Sequence, residues 1–199
     1  MQRTIMVLNR GKAAALGAIT GIGAFAAGYV LEWILAGTKA AQLAVEGPFG
    51  TGVAEWKTLL WVYFDSHFVG TRLPEVTGPG DGFRVGGGVV DTVGLLQIEY
   101  LYLVPIAVLL VGGGILAWRV GSREPYDGMR RGMFVIVGYL PIAVLAMMVG
   151  QQSGFGPSPF RSLAIAGLVY PLVFGAIGGA VYGLSGGEAA DQRGDPPSQ

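Results

Sequence analysis

Charged side chains are scarce inside the long apolar runs of this chain, and two of the exceptions are acids, Glu32 and Glu99. A carboxylate in a lipid-embedded helix is costly, so such an acid is by default a candidate for binding a solute, an ion or a proton. Glu32 stands four residues before the expected outer end of the first apolar run, and Glu99 four residues after the expected outer start of the second. At 1.5 Å per residue, both lie ~6 Å inside one boundary. Gln97, Gln151, Gln152 and Arg161 fall at the same depth, which predicts an outer polar layer with Arg161 or Lys57 as counter-charge. The plainer alternative is that these side chains reach the headgroups and are solvated there.

A second set of residues bends helices. Pro105-Ile106-Ala107-Val108-Leu109 recurs as Pro141-Ile142-Ala143-Val144-Leu145, and Tyr170-Pro171-Leu172-Val173 is a looser echo. A proline inside a helix removes one backbone hydrogen bond and kinks the chain. Three kinks at one depth would suit a solute path between broken helices. Three independent, packing-tolerated kinks explain the same residues, and no charge accompanies them.

Other chemistry is thin. Without cysteine there is no thiolate site or disulfide, and the single histidine, His67, limits imidazole chemistry. Asp65 and His67 are two apart, so on a helix they do not share a face and cannot chelate a metal as an i, i+4 pair would. His67 is expected to be an interfacial polar group. The glycine-rich stretch 78–88 lacks the strand, helix and GK[ST] setting of a phosphate cradle. No catalytic residue, cofactor or metal is expected.

The elements that position these residues follow from composition. Of 199 residues, 52% are apolar and 13% charged, half the charged share of soluble domains. A lipid bilayer is the expected partner; equal numbers of basic and acidic residues argue against nucleic acid. Residues 13–36, 95–118, 132–150 and 161–184 are long and apolar enough to cross a hydrocarbon core of ~30 Å, and backbone in lipid must be helical to satisfy itself. The expected fold is an all-α integral membrane protein: residues 1–184 form one domain, a bundle of four transmembrane helices. The first apolar run continues too far for the core of a cleaved signal peptide, although Ala24-Phe25-Ala26 resembles a cleavage site.

Orientation follows from the arginines. Arg3, Arg10 and Lys12 flank the first run, and Arg119, Arg123, Arg130 and Arg131 lie between the second and third, whereas residues 151–160 carry no Lys or Arg. Basic loops stay cytoplasmic, so both termini are expected inside a cell membrane, with residues 37–94 outside. Anionic lipid headgroups could bind the arginines between the second and third runs, but these residues are the ordinary topology signal and are read as only that. Residues 185–199 are expected to be a disordered cytoplasmic tail. Within the outer segment, residues 53–69 hold Trp56, Trp61, Tyr63, Phe64 and Phe68, with polar groups near helical spacing, and predict an amphipathic helix at the outer interface. Gly78-Pro79-Gly80-Asp81-Gly82 is a turn that would join two short strands.

Small residues four apart, Gly17 with Gly21 and Ala24 with Gly28 in the first run, and Gly175, Gly179 and Gly183 in the last, allow close helix approach. These two faces are expected to meet each other or a second protomer.

The string Trp56-Lys57-Thr58-Leu59-Leu60-Trp61-Val62-Tyr63-Phe64-Asp65-Ser66-His67-Phe68, after a glycine-rich first run, resembles a family of uncharacterised haloarchaeal multi-pass membrane proteins. The resemblance implies location and a four-helix fold, and no activity, cofactor or ligand. The residues then support two classes of function. One is a non-enzymatic accessory or scaffold protein whose helices pack with a membrane protein partner or as a homo-oligomer. The alternative is a small transporter or channel for a neutral or small solute. A membrane enzyme is disfavoured because paired helical histidines and paired carboxylates are both lacking inside the expected bundle.

Overall fold

The computed structural model describes residues 2–46, 52–77, 84–86 and 88–191. Helices dominate it: α1 Gln2–Glu46, α2 Glu55–Asp65, α3 Thr92–Leu96, α4 Leu103–Arg119, α5 Pro125–Gly132, α6 Ile136–Gly150, α7 Pro159–Arg161 and α8 Tyr170–Asp191. Four stretches are long and apolar enough to cross a membrane: Ala13–Val45, Glu99–Arg119, Pro125–Gly150 and Pro159–Ser185.

The first span outlasts its expected end at Ala36. Residues 37–46, GTKAAQLAVE, contain no proline and are rich in strong helix formers, and Ala36, Ala40 and Ala44 are buried at a spacing of four. The next breakers are Gly47 and Pro48. The third span starts earlier than residue 132, because Pro125 opens α5 at a position where a missing N–H costs nothing. Residues 185–191 are helical rather than a disordered tail; residues 192–199 lie outside the described residues.

The chain is not purely helical. β1 Thr71–Arg72 pairs antiparallel with β4 Val89–Val90 and with β5 Gly156–Pro157, giving the order β4-β1-β5. β2 Glu75–Thr77 pairs with β3 Arg84–Gly86 in the register Glu75↔Gly86, so two short strands flank the expected turn, whose residues 78–82 lie outside the described ones. Strands of two or three residues are too short to show a period of two in sequence.

Each proline follows a break in α geometry. A 3₁₀ turn, Glu99–Tyr102, precedes Pro105 at the start of α4, another at Met133–Val135 precedes Pro141 within α6, and π winding over Ser162–Val169 precedes Pro171 in α8. For Pro105 and Pro171 the carbonyl four residues back, of Leu101 and Gly167, lies within the rewound turn, where the ring meets less crowding; for Pro141 it is that of Val137, inside α6. Pro105 and Pro171 are buried and Pro141 is exposed. Pro105 is also the third residue of its helix, not a mid-span kink.

Packing divides the chain into two compact units. One comprises Met1–Phe25, Ile106–Leu140 and Leu168–Gln199. Here glycines let backbones touch: a Cβ at Gly17 or Gly21 would overlap Phe134 or Val135, one at Gly138 would overlap Ala18, and one at Gly179 would overlap Gly128. Gly175 lies against Gly113 and Gly132, and Gly183 against Glu124. The two glycine faces therefore do not meet each other; each is filled by other helices of the same chain, which is the close approach that small residues permit in lipid. Gly28 belongs to the other unit, Ala26–Pro105 with Pro141–Gly167, where it abuts the Tyr63 ring.

In that second unit, Ala36, Ala40, Leu59, Val62, Val93, Ile98, Leu101 and Val104 form an apolar cluster. The expected interfacial helix is internal and shorter: α2 buries every residue from Thr58 to Asp65, and Trp61, Tyr63 and Phe64 are 0% exposed. Trp61 Nε1 donates to the Gly150 carbonyl at the end of α6 (2.7 Å), and its ring stacks on Phe155. Large aromatics with a polar tip suit such a buried helix as well as an interface, so composition alone did not separate the two.

Gly138→Ala and Gly179→Ala are each expected to destabilise the purified protein by ~1–3 kcal/mol, the cost of overpacking. Gly23, whose added Cβ would meet nothing within 4 Å, serves as control and should tolerate Ala. Thermal unfolding in one detergent compares the three; equal midpoints would remove the packing role.

Candidate functional site

The second unit places its polar side chains on three elements. Glu32 lies inside α1, thirteen residues before the end of the apolar stretch Ala13–Val45, hence ~20 Å of helix from that end. It is 0% exposed; no donor stands at full hydrogen-bonding geometry to either carboxylate oxygen, and the Ser66 hydroxyl lies close enough to be a weak one. Beside it are the Ser66 side chain and, within Coulombic reach, Asp65. The Ser66 hydroxyl donates to the Tyr63 carbonyl (2.7 Å), one turn back.

Asp65 ends α2 and is held by its neighbours. Its Oδ2 accepts from Thr71 Oγ1 (3.1 Å), Thr92 N (2.8 Å) and Thr92 Oγ1 (2.7 Å), which ties α2 to β1 and to the start of α3. Its Oδ1 is buried without a partner. Burial pushes the carboxyl up to about 7, although the threonine donors pull it back. Asp91 completes this corner by capping α3 through Val93 N (3.0 Å) and accepting from the Tyr102 hydroxyl.

His67 is fully buried. Its Nδ1 lies 2.7 Å from the Tyr63 carbonyl, which only accepts, so Nδ1 carries the hydrogen and the ring is neutral with Nε2 as acceptor. Desolvation lowers its pKa to about 4. The helical-spacing argument against pairing Asp65 with His67 does not apply, because the helix stops at Asp65. Ser66, His67 and Phe68 form a turn, Phe68 has a left-handed φ of 60°, Gly70 follows at 79°, and the chain enters β1. The Phe68 ring stacks on Tyr102 at 4.4 Å, which holds the strained residue in place.

The expected outer layer separates. Gln97 is an exposed left-handed cap after α3, and Glu99 is exposed at the start of its 3₁₀ turn. Gln151 Nε2 donates to the Pro157 carbonyl, Gln152 Nε2 to Gly52, and Arg161 Nη1 to Val69. Lys57 Nζ donates to the Gln151 carbonyl. Neither proposed counter-charge reaches Glu32. What joins Glu32 instead is Asp65 with Ser66, from a string singled out for its aromatics. A signal was present: DSH in the middle of an otherwise apolar and aromatic run.

Tyr29, one turn before Glu32, and Trp33, the residue after it, line a groove of about 490 Å³ with Gly37, Glu55, Trp56 and Leu59. The Tyr29 hydroxyl bonds the Trp56 carbonyl (3.1 Å), and its ring meets Tyr63 edge-on. Among the described residues, no group of three His, Cys, Asp or Glu is arranged to hold a metal.

Residues 4–186 match the family of unknown function DUF7978. The chain belongs to that family. Comparison with curated proteins and with solved structures gives no match. For this DUF7978 chain, the match covers every residue of the buried centre and all four stretches long and apolar enough to cross a membrane.

The two titrations have opposite signs. Asp65 ionises at 3.8 when unperturbed and at about 7 in the fold, so its contribution to stability is present at acid pH and lost as pH rises through about 7. His67 is lowered from 6.5 to about 4, so its contribution is lost as pH falls from 6.5 through 4. Asp65→Asn removes only the first. The unfolding midpoint of the wild type relative to this variant should fall between pH 5 and pH 8, a range that holds the upper part of the window from 3.8 to about 7. Parallel midpoint curves for the two proteins would contradict the assignment.

Proposed function

We propose that this protein is a small, non-enzymatic membrane transporter in which Glu32 is the cation-accepting group, taking up a proton as a small solute moves. The observation that carries the reading is the complete burial, inside a helix long and apolar enough to cross a membrane, of a carboxylate with no basic partner among the described residues. An ionised carboxylate isolated from water is costly, so such a group calls for a proton or a cation, and intramembrane acids commonly serve relays and coupling sites. Asp65 is the second member, at the junction of α2, β1 and α3, and the aromatic groove beside Tyr29 and Trp33 is the place for the solute.

The accessory or scaffold reading loses its specific support, because the glycines that would have faced a partner are filled within the chain. The setting we infer is a haloarchaeal cell membrane, with Arg3, Arg10, Lys12 and the Arg119–Arg131 link on the cytoplasmic side and both termini inside.

In proteoliposomes held at a potassium diffusion potential, with a pH dye inside and a panel of small neutral solutes supplied outside, at least one solute should drive proton uptake by the wild type, and Glu32→Gln should slow that solute-dependent flux at least ~10-fold, which is ~1.4 kcal/mol on the barrier. Asp65→Asn should reduce it less. Equal fluxes for wild type and Glu32→Gln, both well reconstituted, would end the transporter reading.

A further inference from the structure

The first unit carries an anion-seeking feature that the proposed transport site does not use. From the end of α4 to the end of α5 the chain carries four arginines, Arg119, Arg123, Arg130 and Arg131, against two acids, Glu124 and Asp127. Asp127 is committed to Arg131, at 2.7 Å between Oδ2 and Nε. Arg130, on the next position of α5, has no carboxylate partner among the described residues; its guanidinium lies over the Tyr126 ring at 5.9 Å. Stacking holds a guanidinium in place while leaving its N–H donors open to an oxyanion.

Arg130 also stands at one end of a groove. With Met133, Phe134, Ile136, Val137 and Leu172 it encloses about 280 Å³, a shallow and open space whose other lining side chains are all apolar. A cation at the mouth of an apolar trough matches one kind of molecule: an anionic head joined to a hydrocarbon tail. A soluble anion would leave the trough empty, and a zwitterionic lipid brings its own cation to compete with Arg130 for its phosphate. Basic pockets between spanning helices bind anionic headgroups for this reason.

We infer that this groove is a specific lipid site, in which one acyl chain lies along Met133, Phe134, Val137 and Leu172 and the lipid phosphate rests on Arg130. Arg131 is not part of it, since Asp127 already occupies its guanidinium.

The test uses the full chain, purified in mild detergent and incubated with equal amounts of phosphatidylglycerol and phosphatidylcholine, with retained lipid read by native mass spectrometry. The wild type should keep phosphatidylglycerol in preference, Arg130→Gln should lower that occupancy at least ~5-fold, about 1 kcal/mol, and Arg131→Gln should leave it near wild type. Leu172→Trp fills the trough without touching the charge and should also expel the lipid. Circular dichroism and gel filtration qualify each variant; Arg130→Lys, which keeps a phosphate-binding charge, replaces any that misfolds and should retain part of the lipid. Equal retention of both lipids, unchanged retention in Arg130→Gln, or displacement of the lipid by millimolar inorganic phosphate alone would each overturn the inference.

Discussion

Three hydrogen bonds to one oxygen of Asp65 join the end of a helix, a strand and the start of another helix. In a chain with so few polar side chains, that junction decides where the rest of its unit can go. Thr92 gives both its backbone N–H and its hydroxyl to the same atom, so α3 begins where Asp65 allows. Thr71 fixes β1 by the same carboxylate, and β1 in turn holds β4 and β5. Each of these donors would be orphaned by loss of the acid, and a buried orphan costs ~1–3 kcal/mol. Placing such a group beside a second buried acid adds electrostatic repulsion on top of desolvation. Glu32 is tolerated there because the fold encloses it, and the arrangement is the sort of local violation that functional sites concentrate.

How much of this was legible in the sequence depends on the length of the signal. The four spans show as apolar runs of about twenty residues, and the four corresponding helices are present. Their ends were harder to read. α1 runs ten residues past Ala36 because an alanine-rich segment with a buried face is helical whether or not it is apolar enough for lipid, and hydropathy reports only the latter. The short strands left no periodic trace. The aromatic string around Trp61 was conspicuous, yet its burial depended on which side of the string the rest of the unit covers, a tertiary fact.

The candidate site shows the same division. Glu32 was identifiable from its cost in an apolar helix. Its true companions, Asp65 and Ser66, could not be paired with it by spacing, since they lie more than thirty residues away and beyond a helix end. The polar residues that hydropathy grouped by depth proved to serve backbone carbonyls and caps: Gln151 donates to a carbonyl of β5 and Arg161 to that of Val69 ahead of β1. Depth alone is one coordinate of three. The glycines are a related case: the pattern announced close approach, and only the packed chain says which backbone approaches.

The π winding of Ser162–Val169 carries a consequence for how the last span is drawn on a wheel. With bonds closing over five residues instead of four, each residue there advances less far around the axis than in an α-helix. Over eight residues the angular error accumulates, so side chains before Ser162 and after Val169 are out of phase with any single 3.6-residue projection. Stripes traced from Pro159 toward Gly183 on such a diagram therefore drift around the cylinder, and faces assigned at one end do not continue to the other.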